Sequence, residues 1–499
     1  MKKFLIIFTA LAMFLVLTGC KSKAEDKLVI WSFTDELETS GDIQYFKDNF
    51  TGEGQKYEGM KVEFVIVPTA DYLTKILPVL RTGKGAPDVF TGELDMVQNF
   101  MEADYLADLQ TMMENDPDLD YQATKDDFQS YIWESGVDPV DNKLKSLSWQ
   151  VTPGAILFKT DMAESVWGDE IDFPTDDGVN NYNQAVSDWV SANKFNTLQN
   201  LVVSSQEVKD YNVNWRLFPN DDAIRFFAKG SDTASSWLDS DGKISSDKLL
   251  EQEIYMNTVK SLYGDTISTS LTANVGEWSG EWFGGIGKDF KDVQGTTYQT
   301  MAYSLPTWGL FYVIAPNAEK VDANGNTCTL PENPTDEQQA EFDACEVKGN
   351  WGMASGPNSY YWGGTYLNIR KDSEMKDAAY DFVSSMLFDT DRMSSRAANG
   401  DVYSRISVMN TIKTDYEGYD VLGGMNHYNT FLAESEKISF DNVTKYDRQL
   451  DTLFGKYVTA YKKGESGSAT VSEAFNSFYD ELKTTYSDIY KSSGLPYQN

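Results

Sequence analysis

Gly276-Glu277-Trp278-Ser279-Gly280-Glu281-Trp282-Phe283-Gly284-Gly285 sets two indoles and two carboxylates in a stretch that its glycines leave open. Thr307-Trp308-Gly309 and Trp362-Gly363-Gly364 repeat the theme of a large ring beside glycine. Flat rings match the C–H face of a pyranose, and carboxylates, amides and guanidinium groups match its rim of hydroxyls. The chain holds 12 Trp and 28 Tyr, so such rings are not scarce. Tryptophan is more often core than contact, and each ring therefore has a packing alternative. Trp282 is expected on the far side of a helix, and Trp189, Trp215 and Trp237 are read as core or surface.

Other chemistries find little support. His427 is the only histidine, so no H-E-x-x-H is possible and a Ser–His–Asp arrangement would depend on that one ring. Gly285-Ile286-Gly287-Lys288 is a fragment and not a phosphate-binding loop. Trp237-Leu238-Asp239-Ser240-Asp241-Gly242 superficially suggests a calcium loop. With Gly242 at loop position six, Trp237 and Lys248 fall where carboxylates are needed, and the segment is read as a polar turn. No metal and no cofactor are expected.

The net charge is −35, from 77 acidic against 42 basic residues. Such a surface repels phosphate backbones and anionic headgroups. Nucleic acid partners and charge-driven lipid binding are excluded as functions, while an uncharged ligand is not. At 499 residues with 41% apolar composition, the chain is too long for one core and two lobes are expected.

The elements that would position the rings alternate. Leu28 to Phe33 reads as a buried strand, followed by Thr34-Asp35-Glu36 and a helix toward Phe50. Met60 to Val67 alternates as a strand and stops at Pro68. Asp71 to Arg81 reads as a helix with Tyr72, Leu73, Ile76 and Leu80 on one side, a kink at Pro78 and a cap at Gly83. Pro87-Asp88-Val89-Phe90 opens the next strand. This alternation favours parallel strand pairing with helices on both faces.

Lys2 and Lys3 precede an apolar run from Phe4 to Leu17, too short for a comfortable span, and then Thr18-Gly19-Cys20. That is the form of a secretory signal. It resembles the lipobox of bacterial lipoproteins, which implies a diacylglycerol on Cys20 and residues 1–20 removed or modified. Residues 21–26 would be a tether. Cys328 and Cys345 bracket a polar segment with two prolines. In an oxidising compartment the pair reads as a disulfide, and a loop of that length contributes roughly 3 kcal/mol.

Four ordered blocks resemble the extracellular solute-binding proteins of carbohydrate ABC importers. They are the strand ending in Trp31-Ser32-Phe33; Gly83 to Phe90 with Asp104-Tyr105-Leu106-Ala107-Asp108-Leu109; Leu147 to Val151 leading into Gly154 to Asp161; and Gly356-Pro357 with Trp362 to Ile369 and the helix-like Ser373 to Leu387. The family often has Gly where this chain has Asp104. The resemblance implies an α/β, two-lobed, periplasmic-binding-protein-like type II fold, with mixed sheets flanked by helices and a hinge. Lobe one would be 27–148 plus 357–392, and lobe two 149–356 plus 393–499.

It also implies where ligand would bind. Strand-end positions Asp35, Glu36, Glu93 and Asp95 would reach hydroxyls, and Trp308 falls where relatives place a stacking Trp. Trp31, Trp149 at the first crossing, Trp278, Trp362, Gly363, Gly364 and Arg405 complete the expected set. The ligand would be an oligosaccharide, the partners the subunits of an ABC permease, and the state a monomer touching the membrane only through Cys20. Two alternatives stay open: a lipid-anchored glycoside hydrolase, which needs a carboxylate pair flanking the bond, and a glycan-capturing surface protein that feeds no transporter.

Overall fold

The computed structural model describes residues 26–171, 182–228, 236–331, 333–397, 400–440, 444 and 446–495. The signal and lipidation expectations at residues 1–20, Cys20 included, lie outside the described residues, as do tether residues 21–25. Among the described residues, no helix is long and apolar enough to cross a membrane.

Eight main strands, in chain order, are β1 (Lys27–Ser32), β2 (Lys61–Ile66), β3 (Val89–Gly92), β4 (Ser146–Ser148), β5 (Gly154–Lys159), β6 (Ala302–Pro306), β7 (Trp351–Ala354) and β8 (Tyr366–Ile369). The first sheet has the order β2-β1-β3-β8-β4. β1 pairs in parallel with β2 and β3, with Trp31 opposite Val65 and Phe90. β8 runs antiparallel to both neighbours, with Tyr366 opposite Gly92 and Ser148. The second sheet, β7-β5-β6, is antiparallel throughout, with Leu157 opposite Met353 and Tyr303. The expectation of parallel pairing therefore holds only for β1 to β3. The return of distant segments, as β8 in the first sheet and as β6 and β7 beside β5, makes the rest antiparallel.

Local signals explain the first sheet. Leu28, Ile30 and Ser32 of β1 are fully buried and alternate with less buried neighbours, the period of a strand. The helix Thr69–Thr82 buries Tyr72, Ile76 and Leu80, contains Pro78, and ends at Gly83 with φ 68°. Only a residue tolerant of left-handed backbone closes a helix that way.

β5 explains the second sheet. All six of its residues are buried, so it reads as a continuous apolar run and not an alternating one. Ile156 and Phe158 join a core built with helices Tyr182–Asn193, Leu198–Tyr211, Ser246–Leu262, Asp447–Lys463 and Val471–Thr485. Ala155 and Leu157 join the other core, which contains β1, β3 and β8. Each such aliphatic side chain stabilises by about 1.5–3 kcal/mol on full burial.

Three chain segments cross between the sheets side by side. Ser404 N–H donates to Trp149 O at 2.9 Å, Val151 N–H to Val402 O at 3.1 Å, Trp362 N–H to Thr152 O at 3.1 Å and Gly154 N–H to Tyr360 O at 2.8 Å. Such adjacent extended crossings are the form of a hinge. Elsewhere, Cys328 and Cys345 are disulfide-bonded across 17 residues of sequence. They close an excursion carrying the short helix Asp336–Asp343. Asp239 to Gly242 forms the expected polar turn, with Gly242 N–H donating to Asp239 O.

Candidate functional site

Trp308 stands two residues past Pro306, the end of β6, and Glu93 directly follows Gly92, the end of β3. They belong to different sheets, yet both lie against Gly363. A β-carbon on Gly363 would stand 3.3 Å from Trp308 Nε1 and 3.7 Å from Glu93 Oε1, and its φ is 76°. Both the left-handed backbone and the close approach favour glycine here. Trp308 Nε1–H donates to the Trp362 carbonyl at 3.1 Å. The two rings meet edge to face at 5.1 Å and 73°. On another side Trp278 lies nearly parallel to Trp308, with centroids 6.0 Å apart and planes 16° apart. Trp308 and Trp362 are half-buried, while Trp278 is 51% exposed.

A second group sits where the crossings meet the first sheet. Glu36 opens the helix Glu36–Thr39 after β1. Its Oε1 accepts from Gln150 Nε2 at 2.5 Å and its Oε2 from Thr365 Oγ1 at 3.4 Å. Gln150 Oε1 accepts the Thr365 N–H at 3.1 Å. Glu36 thus ties lobe-one backbone to two crossing segments. Burial, reinforced by the Asp401 carboxylate, pushes the Glu36 carboxyl up to about 8, against the lowering pull of Arg396. At neutral pH it is mostly protonated, so it can donate as well as accept. The Tyr312 phenol, pushed up to about 12 by desolvation and then by Asp401 and Glu36, lies within electrostatic range of both.

The other expected residues divide. Gly364 backs the group: a β-carbon there would stand 3.3 Å from Thr152 Oγ1. Asp35 is exposed one residue before Glu36. Trp31 is half-buried on β1, its carbonyl accepting from Tyr72 Oη at 3.4 Å. Asp95 is the second residue of the helix Leu94–Glu102 after β3, its side chain lying outside the described residues. Trp149 is 1% exposed within the core, enclosed by the crossings that pair on either side of it. Arg405 is held by Asp127, Nε to Oδ2 at 2.7 Å, and lies over Phe128. Neither of these two reaches the Trp308 group. Trp282 is 2% exposed, on the inner side of its helix.

Arg225, Gln150, Thr365 and Tyr312 were not expected. Arg225 lies over the Trp362 ring at 5.0 Å and holds Glu277 through two nitrogens, at 2.6 and 3.2 Å. A lone cation next to Ile224 in an apolar run was its available signal. His427 sits among the rings of Phe311, Tyr416 and Tyr419, its Nε2 2.8 Å from Gly400 O. Burial holds it neutral, down to about 4. Among the described residues, no cluster of three or more His, Cys, Asp or Glu fits a metal ion.

Residues 36–233 match the model of the bacterial extracellular solute-binding proteins. No curated protein matches this chain by sequence. A solved extracellular solute-binding protein of family 1 superposes with TM-score 0.64 at 13% identity, covering 91% of this chain and 99% of that one. The GacH receptor of Streptomyces glaucescens, solved unliganded and with acarbose, gives TM-score 0.59 at 14% identity over 92% and 99%. The galacto-N-biose/lacto-N-biose I-binding protein of a Bifidobacterium longum ABC transporter, solved with lacto-N-biose, gives 0.59 at 13% over 95% and 98%. At these identities the likeness establishes the two-lobed fold of this chain.

Proposed function

We propose that this protein captures a neutral oligosaccharide between its lobes and delivers it to an ABC importer. The observation that carries this reading is the meeting of Glu93 and Trp308, from two sheets, at Gly363. A ring stacked on an indole while a carboxylate takes its hydroxyls is what a pyranose needs. The acarbose and lacto-N-biose complexes of structurally similar proteins support the ligand class. The lobes are 27–148 plus 357–392 and 149–356 plus 393–499, with strands β1 to β4 and β8 in the first set. Ligand contacts to both lobes favour the closed arrangement by their difference in affinity between open and closed forms, and the permease accepts that form.

In this reading Trp308, Trp362 and Glu93 touch ligand, with Gly363 and Gly364 letting it approach. Asp35, Glu36, Asp95 and Trp31 line the rim, and Trp278 stands beside Trp308 in the sugar-free form. No bond is made or cut, so the sugar is returned intact, and no cofactor takes part. Cys20 carries the lipid that holds the monomer outside the membrane. A thermal-shift screen against neutral glycans of two to six residues tests the ligand class, because a ligand of the native form raises Tm. Absence of a shift from every glycan removes it. Labelled palmitate incorporated by the native chain and lost in Cys20→Ala tests the anchor.

A further inference from the structure

The Gly276–Ser279 turn sits over Trp308, and its Trp278 ring also packs on the core residue Trp282, with centroids 5.3 Å apart. Trp278 has φ 67°. The other non-glycine residues with positive φ, among the described ones, are Asp104, Asn142 and Asn274. Those are short polar side chains that tolerate the left-handed region, while a bulky aromatic one is an outlier there. The turn is therefore held against its backbone preference. Its neighbour Glu277 is forked by Arg225 at 2.6 and 3.2 Å. The Arg225 guanidinium lies 5.0 Å over the Trp362 ring, and Trp362 meets Trp308 edge to face at 5.1 Å. The latch and the shelf thus share a ring.

One face of Trp308 is covered by Trp278, and that face is of the kind a pyranose takes. We infer that Glu277-Trp278 is an internal placeholder: Trp278 covers Trp308 until a ligand ring takes that face, and Arg225, by holding Glu277, sets how readily the turn leaves. This rests on the reading of Trp308 as the ligand shelf. Three features favour release. Trp278 is already 51% exposed. Leaving frees its backbone to return to an ordinary φ. The Arg225 and Glu277 side chains retain 25% and 22% of their exposure, so both ends remain within reach of water. Arg225 is then a positioning residue. It acts through Glu277 and not by touching the sugar.

The test compares the native protein with Arg225→Ala, Arg225→Lys, Trp278→Ala and Trp308→Ala. Amide hydrogen exchange at Ser279, Trp282 and Phe283 is followed without added sugar. Binding of maltotriose, lacto-N-biose and β-1,6-galactobiose is followed by calorimetry. Arg225→Ala is expected to speed exchange about fivefold or more, and Arg225→Lys to restore part of the protection. Trp278→Ala is expected to tighten the best probe about three- to tenfold, a gain that vanishes when Trp308→Ala is added. Exchange unchanged in Arg225→Ala overturns the latch. Weaker binding by Trp278→Ala overturns the placeholder and makes Trp278 a ligand contact. Binding indifferent to Trp308→Ala, with exchange still accelerated by Arg225→Ala, overturns the shelf reading while leaving the latch standing.

Discussion

Two regions of this molecule set rings beside carboxylates, and they use them in opposite ways. On lobe one a cavity of about 740 Å³ is lined by residues that include Tyr45, Phe50, Lys56, Tyr380, Asp381 and Asp389. There the polar rings are phenols, and they spend their hydroxyls on the acids. Tyr45 donates to Asp389 at 3.1 Å, Tyr380 to Asp116 at 2.9 Å, and Lys56 pairs with Asp381 at 2.6 Å. Burial and those same acids raise the Tyr45 and Tyr380 pKa values. In the Trp308 group the rings are indoles. The Trp308 N–H is used on a backbone carbonyl, and the ring itself meets other rings. Volume and acid-plus-aromatic composition thus do not identify a sugar site. In the function proposed above, what marks such a site is a ring that meets its partners through its face and not through its polar tip.

The largest effect belongs behind the lobe-one cavity. Asp42 is fully buried between Arg392 and Arg396, and Arg392 also lies over the Tyr45 ring at 4.0 Å. Asp42→Ala leaves two guanidinium groups without their common carboxylate and should cost about 3–5 kcal/mol in urea unfolding. Sugar binding per folded molecule should survive. Loss of affinity without loss of stability would merge the two regions.

Next, Trp308→Ala should weaken the best glycan tenfold or more, on the order of 1.4 kcal/mol, by titration calorimetry. Tyr380→Phe should leave that affinity alone. The reverse ranking would move the site to the lobe-one cavity.

The Glu36 carboxyl is raised from an ordinary 4.5 to about 8. The folded state therefore binds a proton that the unfolded chain has released, and stability falls as pH rises between those values. Denaturant melts at intervals from pH 5 to 8 should show the decline, and Glu36→Gln should flatten it. A native profile already flat over that range would remove Glu36 from the crossings. The smallest effect is that of Tyr380→Phe on stability, about 0.5–1.5 kcal/mol from one lost hydrogen bond, read from the same melts.

Much of the first sheet was legible because its signals are local. Pro68 and Gly83 punctuate the β2-to-β3 passage, and Leu28, Ile30 and Ser32 alternate. The place of β8 was not legible from periodicity, since pairing Tyr366 with Gly92 leaves no local trace. The β5 run could not announce antiparallel partners, because a strand buried on both faces carries no alternation. At the candidate site, a ring beside glycine singled out Trp308 and Trp362 as expected ligand contacts, and the structure brings both to Gly363. That signal could not separate Trp308 from Trp149, since both stand just past strand ends. Exposure there is decided by the crossings at Val402 and Ser404, far along the chain. Arg225 and Gln150 were missed because their roles come from partners distant in sequence.

The position of β8 between β3 and β4 has a consequence for biogenesis. A polypeptide made amino end first produces β3 and β4 long before Tyr366–Ile369 is synthesised. Until then both present bare edges, the kind of surface that recruits stray strands. The sheet bearing Glu93 is therefore completed late. A product truncated before Tyr366 would leave those edges unsealed, making it a natural target for chaperones and proteases.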